Sequence, residues 1–327
     1  MDEENSLIEP LTHQIDEEAT ARSCWEKGET IASNADSKEE PSYLKFLGIT
    51  TEGLYLVQDF YLNEDKKRTD PFLCVCANGV VEKDGFWAAC TTTGPFVFWY
   101  RNGQKYAEGH YQLGIRQGLW IGWHKNGQKR SEGYYQDGKW QGLWTWWHKN
   151  GKKSKEAYFQ ERREHGLLTQ WYPNGKKSEE CDYQDGKMHG TRTLWRQSGQ
   201  KKSEDHYQDG IKQGLATSWH ENGQRSEEGL YQDGLAQGLW TRWHFNGQKA
   251  EEGGYQEGLA EGLWTEWHPN GQKSEEGHYQ DGQAQGLWIG WHPNGQKKNE
   301  GHYQDGKERG LWLEWDKNGK ETSRQEY

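Results

Sequence analysis

Long hydrophobic runs are absent from this chain of 327 residues, of which only 31% are hydrophobic. No apolar stretch reaches the roughly 20 residues that a membrane-spanning helix requires. The opening MDEENSLIEPLTHQIDEE is acidic and contains no apolar core of the kind a signal peptide needs. These absences make a cytoplasmic location the expectation. Sulfur is scarce as well: Cys24, Cys74, Cys76, Cys90 and Cys181 are an odd number of cysteines without regular spacing. That argues against a disulfide framework and suits free thiols in a reducing compartment. Positive charge is not in excess either. The net charge is -11; residues 1–93 hold 19 acidic and 8 basic side chains, and the rest hold 32 of each. An electrically neutral array behind an acidic head offers no broad footprint for nucleic acid and little attraction for anionic lipid.

What the chain does have is 20 Trp, 17 Tyr and 42 Gly. A deep aliphatic core cannot be built from this composition, yet the ring content is too high for simple disorder. Architectures that bury a thin layer of rings between successive repeats fit it better. Residues 1–42 carry 12 acidic and 3 basic residues and are expected to form a disordered or transiently helical tail. Residues 43–93 contain short β-prone runs such as YLKFLGI and GLYLVQDFYL, bounded by turn residues. They are expected to be a degenerate β-repeat region that covers the first edge of a stack.

From Gly94 a 24-residue unit recurs without insertion or deletion, ten times to Tyr327, the last copy truncated. The copy Gly262–Gln285 reads GLWTEWHPNGQKSEEGHYQDGQAQ. Counting its first residue as offset zero, Gly fills that offset in all ten copies. Trp fills offset five in all ten: Trp99, Trp123, Trp147, Trp171, Trp195, Trp219, Trp243, Trp267, Trp291 and Trp315. Gly fills offset nine throughout, and an aromatic fills offset seventeen from Tyr111 to Tyr327, with Phe159 the one non-Tyr. Asn-Gly, as at Asn270-Gly271, is a strong hairpin signal because both central residues of a type I′ turn need positive φ. A second turn follows at Asp281-Gly282. Two turns per unit predict two strands per repeat. The predicted fold is therefore all-β, an elongated antiparallel meander of tandem 24-residue hairpins over 94–327, each advancing roughly 10 Å.

The odd spacing of Trp264 and Trp267 sends them to opposite faces of a regular strand. Either both faces carry aromatic ladders, or a bulge near the invariant Gly262 reorients one. If the Asn-Gly turn sets the register, Trp264 lies opposite Gly277, and its ring can cover that glycine.

Gly-Leu-Trp at the start of a unit, Trp five residues in, the Asn-Gly-Gln-Lys turn and the closing Tyr-Gln-Asp-Gly resemble the MORN-variant repeat of bacterial proteins. Repeats of this type are collected under the YwqK family of toxin–antitoxin antitoxins. The resemblance covers 94–327. It implies a repeat fold and a protein partner, for example a toxin, and it defines no partner-facing residues.

No catalytic constellation emerges. Offset six carries His124, His148, His220, His244, His268 and His292, but equivalent residues in adjacent repeats stand roughly 10 Å apart and cannot share a zinc ion. Their expected role is structural or at the surface. Cys74, Cys76 and Cys90 have a one-residue gap tighter than a usual zinc knuckle and read as unpaired thiols. Lysines at offset eleven and glutamates at offset fourteen form charge ladders that keep an exposed sheet soluble. No cofactor, metal or small-molecule substrate is expected, and the chain is read as non-enzymatic.

The offset-five tryptophans and the offset-seventeen rings are expected to be structural. Offset two reads Phe96, Trp120, Trp144, Leu168, Arg192, Ala216, Trp240, Trp264, Trp288 and Trp312. From Trp120 to Trp312 these are the candidate partner-binding positions. The three central units also carry Cys181 and Asp205 where most copies have Gly, which marks either neutral drift or a hinge or partner-specific patch. The expected function is a protein-interaction scaffold. The alternatives are a carbohydrate- or choline-binding array and, from the resemblance to eukaryotic MORN proteins, a membrane-lipid scaffold.

Overall fold

In the computed structural model, the described residues are 14–17, 20, 27–33, 42–52, 54–61, 66–76 and 90–327. Most of the acidic segment 1–42 lies outside them. Within it, Thr30–Ser33 forms a strand that pairs antiparallel with Ser42–Ile49. The chain divides into two compact units, Met1–Glu164 and His165–Tyr327.

The first unit contains a conventional hydrophobic core. Strands Ser42–Ile49 and Tyr55–Tyr61 alternate strictly between buried and half-buried residues, the period-two signature of a sheet with one covered face. Leu44, Phe46, Val57, Phe72, Cys74 and Phe96 pack into a single cluster. Strand Phe72–Cys76 then pairs with Cys90–Trp99, which pairs with Lys105–Gln112. The irregular strands thus lead directly into the first repeat.

Both units are all-β through the repeats, and each repeat is an antiparallel hairpin, as the sequence predicts. The turn chemistry differs in one respect. The type I′ turn is at Asp-Gly, where Asp281 has φ 50° and Gly282 φ 75°. At Asn270-Gly271 only the glycine has positive φ, 82°. There Gly271 N–H donates to His268 C=O at 2.8 Å, closing a type I turn across Pro269 and Asn270. The reason is loop length: His268 N–H donates to Gln272 C=O at 2.8 Å and closes a three-residue loop, in which a type I turn is followed by one residue in the left-handed region, here Gly271.

Two bulges per repeat set the faces. Across strands Lys249–Gln256 and Leu259–Trp267, Glu252 pairs with Thr265 and Gly254 with Glu261, so Gly262, Leu263 and Trp264 stand against Gly253 alone. Gly262 takes φ 78° to allow this. Across Leu259–Trp267 and Lys273–Gln280, Ser274 is the extra residue between the Glu266–Glu275 and Trp267–Lys273 pairs. The second bulge flips the parity of Lys273. Without it Lys273 would share a face with Glu275 and Tyr279; instead it reaches Glu276 on the other face.

Candidate functional site

One face of each sheet is aromatic. In the second unit, Tyr231, Trp240, Tyr255, Trp264, Tyr279, Trp288, Tyr303 and Trp312 alternate edge-to-face. Centroids are 5.1 Å apart within each Tyr–Trp step and 5.7–5.9 Å between steps. In the first unit the series runs Phe72, Phe96, Tyr111, Trp120, Tyr135, Trp144. Perpendicular rings set a positive edge against a negative face, worth about 0.5–1.5 kcal/mol per pair beyond burial.

Within the repeats, most of the offset-two rings are buried. Trp120, Trp144, Trp240, Trp264 and Trp288 are 4–8% exposed, and Leu168 and Ala216 are buried as well. Arg192 and Trp312 are half-buried. The register does place Trp264 opposite Gly277, but its indole covers Gly253, on the strand of the preceding repeat. A Cβ on Gly253 would fall 2.5 Å from Trp264 Cγ and nearer still to Cδ2 and Cε2. Its Nε1–H donates to Gly254 C=O at 3.2 Å. Trp120 over Gly109, Trp144 over Gly133, Trp240 over Gly229, Trp288 over Gly277 and Trp312 over Gly301 repeat the arrangement.

The central units follow the same rule in reverse. Where offset two is Leu168, Arg192 or Ala216, the preceding repeat supplies Ala157, Cys181 or Asp205 in place of glycine. A smaller or more flexible cover leaves room for a side chain beneath. Two ion pairs accompany the change: Arg192 Nε with Glu179 at 2.7 Å and Lys212 with Asp205 at 2.9 Å. Burial pushes the Cys181 thiol up to about 11, against the pull of Arg192. The buried Cys74 is pushed up to about 12 for the same first reason.

The offset-five tryptophans stand on the opposite, charged face. Trp123, Trp147, Trp171, Trp195, Trp219, Trp243, Trp267, Trp291 and Trp315, like Trp99, are half-buried. Lysines lie over several of them, Lys249 over Trp267 at 5.8 Å and Lys273 over Trp291 at 5.9 Å. The burial order of the two ladders is thus opposite to the one expected. Which face packs was decided by the Gly262-type bulge.

The offset-six histidines are staples between repeats. His124, His220, His244, His268 and His292 each set Nε2 within 2.7–2.8 Å of the carbonyl of the next repeat's offset-five Trp. Where His is replaced, Tyr100, Tyr172 and Arg196 donate to the same carbonyl. Asn246 and Asn270 likewise bond Pro269 and Pro293 C=O one repeat on. Among the described residues no three His, Cys, Asp or Glu side chains converge on a metal site.

The sequence pattern of the MORN repeat variant matches seven times, at 92–113, 116–137, 140–161, 164–185, 212–233, 260–281 and 284–305. The chain is a MORN-variant repeat protein. No curated protein matches it. Among the described residues, no helix is long and apolar enough to cross a membrane.

Hollows open on the aromatic face of the MORN-variant repeats, and they were not singled out from sequence. In the second unit, Glu251, Glu266 and Glu275 are directly opposed on successive strands and border a hollow of about 180 Å³ with Tyr255, Trp264, Tyr279 and Trp288. Arg242 binds Glu251 at 2.7 Å and Glu227 at 2.8 Å. Burial, and then repulsion from Glu275 and Glu251, raise Glu266 above the usual carboxylate value. In the first unit a larger trough of about 650 Å³ opens between Phe98 and Trp146. Its signal in the sequence is faint: offset four runs Phe98, Gly122, Trp146, a gap between two rings.

Proposed function

We propose that this chain is a non-catalytic binding module that receives a protein partner on its aromatic face. The observation that carries this reading is the trough of the first unit. Five directly opposed positions on successive strands read Phe98, Ala107, Gly122, Ser131, Trp146. Three small residues form the floor, and a large ring closes each end. Concave surfaces with apolar walls and a few polar groups are where proteins take ligands. A toxin neutralised by the chain would be one such partner.

A sugar platform is less well supported, because carbohydrate stacking needs open ring faces. In the second unit each buried Trp is met edge-on by tyrosines at interplanar angles of 76–89°.

The test is face-specific photo-crosslinking in cells. Benzoylphenylalanine replacing Ser131 in the trough should give a discrete protein adduct, and the same group replacing Tyr134 on the opposite face should not. Adducts at Tyr134 alone, or none at Ser131, would remove the reading.

A further inference from the structure

The trough holds two arginines that are fixed by aromatic rings and not by carboxylates. In the second unit every basic side chain just described on that face is paired with a carboxylate: Arg192 with Glu179, Lys212 with Asp205, Arg242 with Glu227 and Glu251. In the trough, Arg116 and Arg130 are held by rings and phenols instead. Arg116 lies 4.3 Å from the Trp120 centroid and 5.3 Å from that of Tyr135. It donates to Tyr135 OH at 2.9 Å and Tyr111 OH at 3.4 Å. Arg130 lies 4.7 Å from the Tyr106 centroid. Neither makes an ion pair among the described residues.

A guanidinium stacked on aromatic faces is fixed in place and loses little further entropy when a ligand arrives. Each presents five N–H donors in a planar fork suited to a carboxylate. Arg116 spends two on neutral phenols. The two therefore stand as preorganised cations, half-buried and without a carboxylate partner among the described residues. Five strands at about 4.8 Å spacing separate Phe98 from Trp146 by roughly 19 Å, the span of about five or six extended residues.

We propose that this trough binds a short acidic peptide segment carrying at least one large apolar side chain. This rests on the reading of the aromatic face as a protein-binding surface and names the class of partner. Carboxylates of the segment would meet Arg116 and Arg130, and its apolar side chain would pack on the end wall at Phe98 or Trp146. Nucleic acid is disfavoured, since a polyanion needs a run of cations and this chain has a net charge of -11.

The full chain is used to select random peptides displayed on phage, with counter-selection on Gly122→Trp. That variant fills the trough and keeps the fold, because the same register position already holds Phe98, Trp146 and Leu194. A Cβ there meets only the movable ends of Ser131, at 2.7 Å, and Arg130, at 3.1 Å. Selected peptides are expected to be enriched in Asp and Glu together with aromatic or large aliphatic residues. Their affinity, read by fluorescence anisotropy, should fall about tenfold or more in Arg116→Gln/Arg130→Gln and weaken with salt. It should be unchanged in Arg242→Gln. No enrichment, enrichment without acidic bias, binding unaffected by Gly122→Trp, or tighter binding of a labelled oligothymidine would each overturn the proposal. Crosslinked protein adducts at Ser131 with no acidic enrichment would leave the binding face standing and remove only this class of partner.

Discussion

Trp264 covers Gly253 of the preceding repeat so closely that the glycine's missing side chain is the space its indole occupies. Six such Trp–Gly pairs hold neighbouring hairpins together, and each crosses a repeat boundary. Gly253→Ala should therefore destabilise the chain by about 1–3 kcal/mol, the usual cost of overpacking a filled site. Trp264→Leu in the same background should recover part of that loss, because a smaller side chain leaves room for the added methyl group. Chemical unfolding of the two single variants and the double variant measures the coupling. Additive effects would show that the two residues do not compete for the same space.

Arg162 stands where eight of the nine equivalent turns have glycine, and it takes φ 73°. A side chain at that φ costs about 1 kcal/mol or more. Its guanidinium bond to Gly138 C=O, at 2.9 Å, is exposed and returns little. Arg162→Gly should raise the unfolding midpoint by an amount equivalent to about 1 kcal/mol or less. An unchanged or lowered midpoint would mean that the bond outweighs the strain.

The staple from His244 to Trp267 C=O should be replaceable by another donor of similar reach. His244→Ala is expected to cost about 0.5–1.5 kcal/mol, the net worth of one hydrogen bond. His244→Tyr should cost less, since Tyr100 and Tyr172 already make this bond at 2.9 and 2.8 Å. Hydrogen exchange at the two flanking turns distinguishes loss of the staple from global destabilisation. Equal loss in both variants would mean that ring packing, and not the bond, is what matters there.

The carboxylate row Glu251, Glu266, Glu275 makes a pH prediction with an unusual sign. Glu266 and Glu275 are both raised above the ordinary 4.5, first by burial. Their neutral forms are therefore the ones the folded state prefers. Their contribution is most favourable below pH 4.5 and is lost as pH rises through the folded values. Glu266→Gln, a neutral mimic, should raise the unfolding midpoint at pH 7. The gain should shrink to nothing as the pH falls below 4.5. A gain that persists at acid pH would trace to packing and not to charge.

The copy number and the hairpin were legible in the sequence, and the pairing of Trp264 with Gly277 followed if the Asn-Gly turn set the register; the faces of Trp264 and Trp267 were left open between two aromatic ladders and a bulge. Which ladder packs was not legible, because the Gly262-type bulge turns the indole back onto the preceding strand, and a bulge leaves no mark beyond one glycine. The Asn-Gly turn type was not legible, because two-residue and three-residue hairpin loops both favour glycine at the left-handed position. The trough was hidden for another reason. Arg116, Gly122 and Arg130 are departures from the repeat, and a reading that rewards regularity passes over them.

The Trp–Gly pair also bears on how such a gene can change length. Unequal crossing-over between copies removes or adds whole 24-residue segments and leaves the reading frame intact. Loss of 238–261 would set Trp264 over Gly229, and the joint would close as well as the parental one. Loss of 214–237 would set Trp240 over Asp205, driving an indole onto a carboxyl-bearing side chain. Alleles shortened within the run from Trp240 to Trp312 should be tolerated, and those that fuse the central units to it should be purged. The irregular copies then act as fixed breakpoints in an otherwise expandable array.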